Sequence, residues 1–513
     1  MIELKNHSQG QWRPVSGRPA VLADPVLGTG LAHAGAADID MAACYAWARE
    51  RGGPALRALR YPQRAELLDR IARTLQRHRD KYFEISLQNS GTVKNDSAVD
   101  VDGALYTLGH YARLGAGLPD AHHLPDGAPE ALSRDGAFAS QHVLVPSRGV
   151  ALLINAFNFP AWGLWEKAAP ALLSGVPIVV KPATATAWLT HEMVADVIEA
   201  GILPPGALSI VCGRPEGLLD ALEPLDTVSF TGSADTAATL RGHPRIARDG
   251  ARLNAETDSV NSAILGPDAG EAAIGLLVRE TVREMTVKSG QKCTAIRRIL
   301  VPQAHYDAIG ARIAEKLGRI AVGDPRDPGV RMGSLVSRTQ RDAVEAGIRQ
   351  LAQSCDVLFD GARRSAVQAP PDSACVAPVL FGTRDPDGHP DVHRTEVFGP
   401  VATLIPYRDA AHALDLARRG MGSLVASVYA EDPGFLAEAA ARLAESHGRV
   451  HLVSPEVAES HTGHGNAMPQ SSHGGPGRAG GGEELGGARA LRLYHRLSAI
   501  QGWTGALARM APA

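Results

Sequence analysis

Cys293 stands in Ser289-Gly290-Gln291-Lys292-Cys293-Thr294-Ala295, directly after a helical stretch, in a glycine-opened loop and beside a lysine. Backbone N–H groups and a neighbouring cation favour a thiolate, the form in which a cysteine is nucleophilic. A cysteine taken alone is more often a small buried hydrophobe, so the chemistry rests on its partners. Glu256, in Leu253-Asn254-Ala255-Glu256-Thr257-Asp258, follows a short strand-like run. A carboxylate leaving a strand end in an α/β sheet points to the ligand crevice, where partial desolvation suits it to general-base work. Asp258 is close enough in sequence to compete for that role. Asn158, in Asn155-Ala156-Phe157-Asn158-Phe159-Pro160, offers a side-chain amide that could donate to a developing oxyanion; Asn155 competes with it.

Two further positions suit a nucleotide. Lys181 ends the apolar run 176–180 and puts a cation at a strand's C-terminal edge, where doubly wound sheets bind nucleotides. Ser233, in Phe230-Thr231-Gly232-Ser233, precedes a helical run whose first N–H groups could seat a pyrophosphate, although a serine there also serves as a simple helix cap. Residues 475–480 match G-x-G-x-x-G literally. With no apolar strand before them and no helix after them, they read as a flexible glycine-rich loop rather than a dinucleotide fingerprint. Arg478 within it is left to meet an anionic substrate.

These residues must be positioned by a parallel sheet. Short apolar runs at 150–154, 176–180, 208–211, 227–230 and 263–265 alternate with helical stretches at 162–173, 190–200 and 218–222. That is the texture of strands buried on both faces and of β-α-β succession, hence of a doubly wound α/β domain. Before it, 38–115 is helical, with Pro62 at a first helical position and Leu67, Leu68, Ile71 and Leu75 at helix spacing. The segment 141–145 alternates as a strand that need not join the main core. A second α/β region starts near Asp268 with a long helix to about Lys288 and a strand at 298–301, and its pattern continues through Ser446. Residues 463–487 read as a long Gly/Ser/His-rich loop, and 491–499 as a strand. The expected division is a dinucleotide-binding domain over 1–125 and 147–260, a catalytic domain over 261–487, and a β arm over 126–146 and 488–513.

Composition limits the classes of function. The 513 residues suffice for two or three units at about 150 residues each. Lys+Arg 52 against Asp+Glu 55 leaves a net charge of −3, which excludes a broad basic surface for nucleic acid. Five scattered cysteines without C-x-x-C spacing argue against a disulfide framework and a structural zinc site. The N-terminus lacks an apolar h-region, and the run 150–165 is broken by Asn155, Asn158 and Pro160, short of the roughly 20 residues a span needs. A soluble cytoplasmic protein, with no membrane or nucleic-acid partner, is expected.

Taken together, Asn155–Pro160, Lys181-Pro182-Ala183-Thr184, Leu203-Pro204-Pro205-Gly206, Phe230–Ser233, Glu256, Gly290-Gln291-Lys292-Cys293 and Glu396-Val397-Phe398-Gly399-Pro400-Val401 resemble the aldehyde dehydrogenase superfamily, in its order and over almost the whole chain. The resemblance implies an aldehyde dehydrogenase-like fold, with Cys293 as nucleophile, Glu256 as base and Asn158 as oxyanion donor. It also implies cofactor contacts at Lys181, Ser233, Glu396 and Phe398, and a homodimer joined through the arms near 141–145 and 491–499. Within the superfamily, His473-Gly474-Gly475-Pro476-Gly477-Arg478-Ala479-Gly480-Gly481-Gly482-Glu483-Glu484 resembles the dehydrogenase half of bifunctional phenylacetate ring-cleavage enzymes. That implies a CoA-linked semialdehyde from the aerobic breakdown of aromatic compounds. The sequence stops at Ala513, so no fused hydratase is expected.

Two departures from the family pattern matter. Glu256 is followed by Thr257-Asp258-Ser259 where the family commonly has Leu-Gly-Gly, so the backbone around the base is expected to differ. The glutamate that grips the adenosine ribose in NAD users is replaced by Thr184. A carboxylate there would repel a 2′-phosphate, whereas a hydroxyl beside Lys181, with Arg214, could hold one. NADP is therefore expected over NAD. A CoA-acylating dehydrogenase and a non-catalytic scaffold share much of the pattern; Glu256 argues against the first, and the joint presence of Cys293, Glu256 and Asn158 against the second.

Overall fold

A computed structural model describes residues 1–364 and 367–510; positions 511–513 of the expected arm lie outside the described residues. Among the described residues, one seven-stranded sheet is built on five parallel strands. Across the sheet they run Arg252–Glu256, Thr227–Thr231, Ala151–Ile154, Ile178–Lys181 and Leu208–Ile210. The chain proceeds outward from Ala151–Ile154 on one side and then returns to lay Thr227–Thr231 on the other. The reversal point between these two strands is where open α/β sheets bind ligands. Ala151, Leu152, Leu153, Ile178, Val179 and Val180 are all fully buried, as strands covered on both faces require. Helices Trp162–Leu173 and Ala187–Glu199 fall where helical spacing places them.

The second seven-stranded sheet contains Ile296–Pro302, Val401–Tyr407, Val379–Gly382, Asn261–Leu265, Ser423–Tyr429 and His447–Val453 in parallel, with Asp356–Asp360 antiparallel at one edge. Helix Glu271–Thr286 follows its first strand. The apolar run at 263–265 therefore opens this sheet instead of closing the first. Its composition fits either, because periodicity carries no information about which neighbour a buried strand pairs with. In the arm, His495–Trp503 pairs antiparallel with Phe138–Pro146 over their full lengths.

Four local expectations are corrected. Residues 218–222 form turns, not a helix. The stretch 463–487 contains a hairpin of Ser472–Gly474 and Glu483–Leu485. Residues 487–494 form a 3-10 helix, so Leu491 and Leu493 precede the final strand. Strands also precede the helical opening: Asn6–Ser8 and Gln11–Arg13 extend the first sheet antiparallel beside Leu208–Ile210. Their three-residue length leaves no readable alternation.

The sheets are joined through residues 257–260, and Arg298 ties this link to the second sheet. Fully buried, Arg298 donates to the carbonyls of Val260 (2.8 Å), Leu416 (2.8 Å) and Ala417 (2.7 Å) and contacts His393 Nδ1 at 3.0 Å. Burial and then Arg478 bring its pKa down to about 9. Arg298→Met would strip these carbonyls of their shortest donors, leaving only longer contacts from Ser423 Oγ to Val260 O (3.4 Å), Arg419 N to Leu416 O (3.3 Å) and Gly420 N to Ala417 O (3.4 Å), at a cost of about 2 kcal/mol. A lowered urea midpoint with an unchanged m-value is expected; a midpoint equal to the parent's would contradict this role.

Candidate active site

Glu256 ends its strand with its backbone carbonyl accepting from Gly232 N at 3.1 Å. The residues that replace the family's Leu-Gly-Gly are each anchored. Thr257 N donates to Ala479 O at 3.0 Å and Thr257 Oγ1 to Arg478 O at 2.6 Å. Asp258 Oδ1 accepts from Ala234 N at 3.1 Å, and Ser259 Oγ donates to Asn261 Oδ1 at 2.7 Å. Asp258 is thereby committed to the first turn of helix Ala234–Gly242, which leaves Glu256 as the carboxylate beside the thiol.

Cys293 is set by a tightly bent loop. Lys288, Ser289 and Gly290 all have positive φ, and a Cβ on Gly290 would stand 2.2 Å from Gly399 O. Arg297 Nη2 donates to Gly290 O at 2.8 Å, and Asn261 Nδ2 to Cys293 O at 2.8 Å. The expected thiolate-favouring lysine is not what the fold provides, since the Lys292 ammonium is buried and gripped by both carboxylate oxygens of Glu284 at 2.8 Å. Burial, and then the Glu256 carboxylate, push the Cys293 thiol well above its ordinary pKa. At rest a Cys293 thiol faces the Glu256 carboxylate.

Burial alone would raise Glu256, but His473 and Lys167 outweigh it and hold the carboxylate below its ordinary range. His473 Nε2 is 2.9 Å from Glu256 Oε2; the ring lies edge-on to Trp162, centroids 5.5 Å apart. Behind them is a buried charge cluster: Lys167 Nζ is 2.5 Å from Glu166 Oε1 and 3.1 Å from Glu484 Oε2. Glu484 Oε1 also accepts from Ser229 Oγ and Asn254 Nδ2. Burial, opposed by Lys167, raises Glu166 well above a normal carboxyl. A cavity of about 10 Å³ between this cluster, Asn158, Glu256 and Cys293 has room for one water.

Asn158 Nδ2 donates one hydrogen to Gln291 O at 3.1 Å, leaving its second N–H available near Cys293. Asn155 also lines the cavity, with neither side-chain polar atom hydrogen-bonded among the described residues. That cavity, about 490 Å³, joins both asparagines to Ser233, Glu256, Cys293, Glu396, Phe398 and Arg478. Ser233 caps helix Ala234–Gly242 by accepting from Thr236 N at 3.3 Å. Glu396 Oε2 accepts from Ser259 N at 3.0 Å, and Oε1 has no partner among the described residues. Phe398 packs edge-on against Phe157. Lys181, Thr184 and Arg214 do not line this space. Lys181 Nζ donates to Pro182 O at 3.1 Å, Thr184 opens a 3-10 turn and Arg214 is exposed, its charge close enough to help depress Lys181. On the other side of Cys293 a channel of about 300 Å³ runs between Tyr106, Phe159, Trp162, Met468 and His473.

Sequence reasoning missed His473 and the trio Glu166, Lys167 and Glu484. A signal existed for two of them, adjacent charges inside the otherwise apolar helix 162–173. Glu484 and His473 come together with them only through the hairpin.

Cysteine, carboxylate and amide converging where two openings meet, on this pair of sheets, define an aldehyde-oxidising oxidoreductase, and the chain belongs to the Aldehyde dehydrogenase family, whose profile matches residues 18–500. It is 52% identical over 482 residues, 93% of each chain, to the 3,4-dehydroadipyl-CoA semialdehyde dehydrogenase of Aromatoleum evansii. Over 173 residues, 33% of this chain and 50% of the relative, it is 44% identical to Protein MaoC of Klebsiella aerogenes. Its fold matches a betaine aldehyde dehydrogenase from Staphylococcus aureus solved with NAD+ (TM-score 0.85, 22% identity, 98% of each chain). It also matches aldehyde dehydrogenase C of Pseudomonas syringae, solved with NAD+ and octanal (TM-score 0.84, 24% identity, 99% and 97% covered). Among the described residues no helix is long and apolar enough to cross a membrane.

The glycine-rich loop 475–482 packs against the strand that carries Glu256, and its Arg478 borders the 490 Å³ cavity. Gly482 N donates to Ala255 O at 3.0 Å, and a Cβ on Gly480 (φ +104°) would stand 2.2 Å from that same oxygen. Gly481 also has positive φ but open space around it. Gly480→Ala is expected to lower turnover at least tenfold more than Gly481→Ala, which shares the backbone strain without the clash. Equal effects in steady-state assays would remove the loop from this role.

Proposed function

We propose that the protein oxidises the aldehyde of a CoA-linked semialdehyde to the free carboxylic acid with NADP, in the breakdown of aromatic compounds. The observation that carries this is the position of Cys293, whose side chain borders both the 490 Å³ cavity and the 300 Å³ channel. The cavity has the helix N-terminus, orphaned acceptors and aromatic wall that suit a dinucleotide. The channel suits a slim acyl chain, leaving a bulky carrier at its mouth near Tyr106. The Aromatoleum relative, whose name specifies 3,4-dehydroadipyl-CoA semialdehyde, supports that substrate.

In this mechanism the Cys293 thiol gives its proton to Glu256 as sulfur bonds to the aldehyde carbon. The transfer is unfavourable at rest and becomes feasible because the carbonyl oxygen takes the negative charge, held by Asn158 and the Cys293 N–H. NADP, when bound, would supply the hydride acceptor; Glu396 and Phe398 would hold the nicotinamide end and Ser233 the pyrophosphate, while Lys181, Thr184 and Arg214, outside the cavity itself, would meet the adenosine 2′-phosphate. Glu256, its proton lost to solvent, then draws a proton from water attacking the resulting thioester. A homodimer in the cytoplasm completes the proposal, supported by the exposed Phe138, Val145, Leu497 and Trp503 along the arm.

Initial rates with NADP and NAD, on free and CoA-linked aldehydes, test the proposal. NADP is expected to be preferred, with free acid formed without added CoA, and Thr184→Glu is expected to lower kcat/KM for NADP at least tenfold while sparing NAD. A preference for NAD in the parent, or an absolute need for free CoA as co-substrate, would overturn it.

Burial, opposed by Arg297, lifts Glu396 to about 7. A ribose hydroxyl is held better by the ionised carboxylate, so cofactor affinity should rise as pH increases through about 7. Glu396→Gln should flatten that profile in fluorescence titrations; an unchanged profile would count against the assignment.

A further inference from the structure

Three side chains of the crevice carry donor atoms that the protein leaves open. His473 Nε2 and both Glu256 carboxylate oxygens have no aligned hydrogen-bond partner among the described residues. Their residues are only 4% and 2% exposed. Together with Cys293 Sγ, donor atoms of these two residues lie within 4.8 Å of one another. The 2.9 Å approach of His473 Nε2 to Glu256 Oε2 thus brings two donor atoms to a shared point without the alignment of a well-directed hydrogen bond.

One imidazole nitrogen, one sulfur and one carboxylate oxygen form a three-ligand set of the kind zinc takes when its fourth position stays open to water. The mixture of nitrogen and sulfur disfavours magnesium and calcium, which take oxygen ligands. Charge points the same way. A thiolate and a carboxylate side by side in a dry site repel each other, and the buried Lys167 ammonium behind Glu256 is already paired with Glu166 and Glu484. A divalent ion would neutralise both anions at once. Access requires no opening of the fold, since Cys293 and His473 both border the channel. The spacing rule that argued against structural zinc sees only ligands close in sequence, whereas these three come from a strand end, a turn and a hairpin strand far apart in the chain.

We propose that Cys293, Glu256 and His473 bind a zinc-like divalent cation reversibly, and that the ion holds the enzyme inactive by occupying its nucleophile. On binding, the Cys293 thiol proton passes to solvent as the sulfur–metal bond forms; nothing is oxidised or reduced. The ligand atoms close in on the ion to about 2.0–2.3 Å. Aldehyde and cation compete for the same sulfur, so each excludes the other.

Cobalt(II) titration of the full-length enzyme without cofactor reads the site directly. The parent should develop tetrahedral d–d bands and a sulfur-to-cobalt charge-transfer band. Cys293→Ser should lose the charge-transfer band, and His473→Gln or His473→Phe should weaken binding at least tenfold. In parallel, zinc should inhibit the parent, a chelator should reverse this, and either His473 variant should need at least tenfold more zinc to halve its own rate. Zinc should also raise the Tm of the parent but not of the His473 variants, which separates a lost site from a poorly folded protein. A charge-transfer band that survives Cys293→Ser, or zinc sensitivity unchanged in both His473 variants, would place the ion elsewhere and overturn the proposal.

Discussion

A carboxylate and a thiol held side by side in a water-poor crevice are the pair on which this structure turns. Left alone, each would move to its neutral form, because burial penalises charge. Here the penalty is divided unequally. Glu256 keeps its charge because His473 and the Lys167 cluster stand behind it, and Cys293 keeps its proton because Glu256 stands in front. In the proposed mechanism this arrangement stores the thiol unreactive until a carbonyl arrives to accept the charge.

Two sheets make the pairing possible. The first presents the C-terminal ends of its strands, carrying Lys181, Thr231 and Glu256. The second presents the N-terminal approaches to its strands, where Cys293 precedes Ile296–Pro302 and Glu396 precedes Val401–Tyr407. Residues 257–260 are the short link between the sheets, so a shift of either would separate base from nucleophile. That explains the density of bonds on this link, from Arg298 on one side and from the glycine-rich loop on the other.

Much of this was legible in the sequence. Apolar runs located the parallel strands because burial on both faces leaves a compositional mark, whereas Cys293, Glu256 and Asn158 were candidates by residue type and place, and their roles came from the resemblance of the motifs around them. What was not legible depends on long-range pairing. Lys292 sits next to Cys293 in the chain, yet its charge belongs to Glu284 one helix earlier. Glu484 and His473 reach the site only because their hairpin folds back over the strand bearing Glu256. The run 263–265 has the right composition for either sheet, and only its hydrogen-bond partners choose between them.

The division of labour between Cys293 and Glu256 is tested most directly by trapping the covalent intermediate. Glu256→Gln enzyme mixed with aldehyde and NADP, then acid-quenched within the first turnover, should carry the acyl mass on the peptide containing Cys293 by mass spectrometry, with little free acid released. Acyl mass on another residue, or normal release of acid by this variant, would contradict the account.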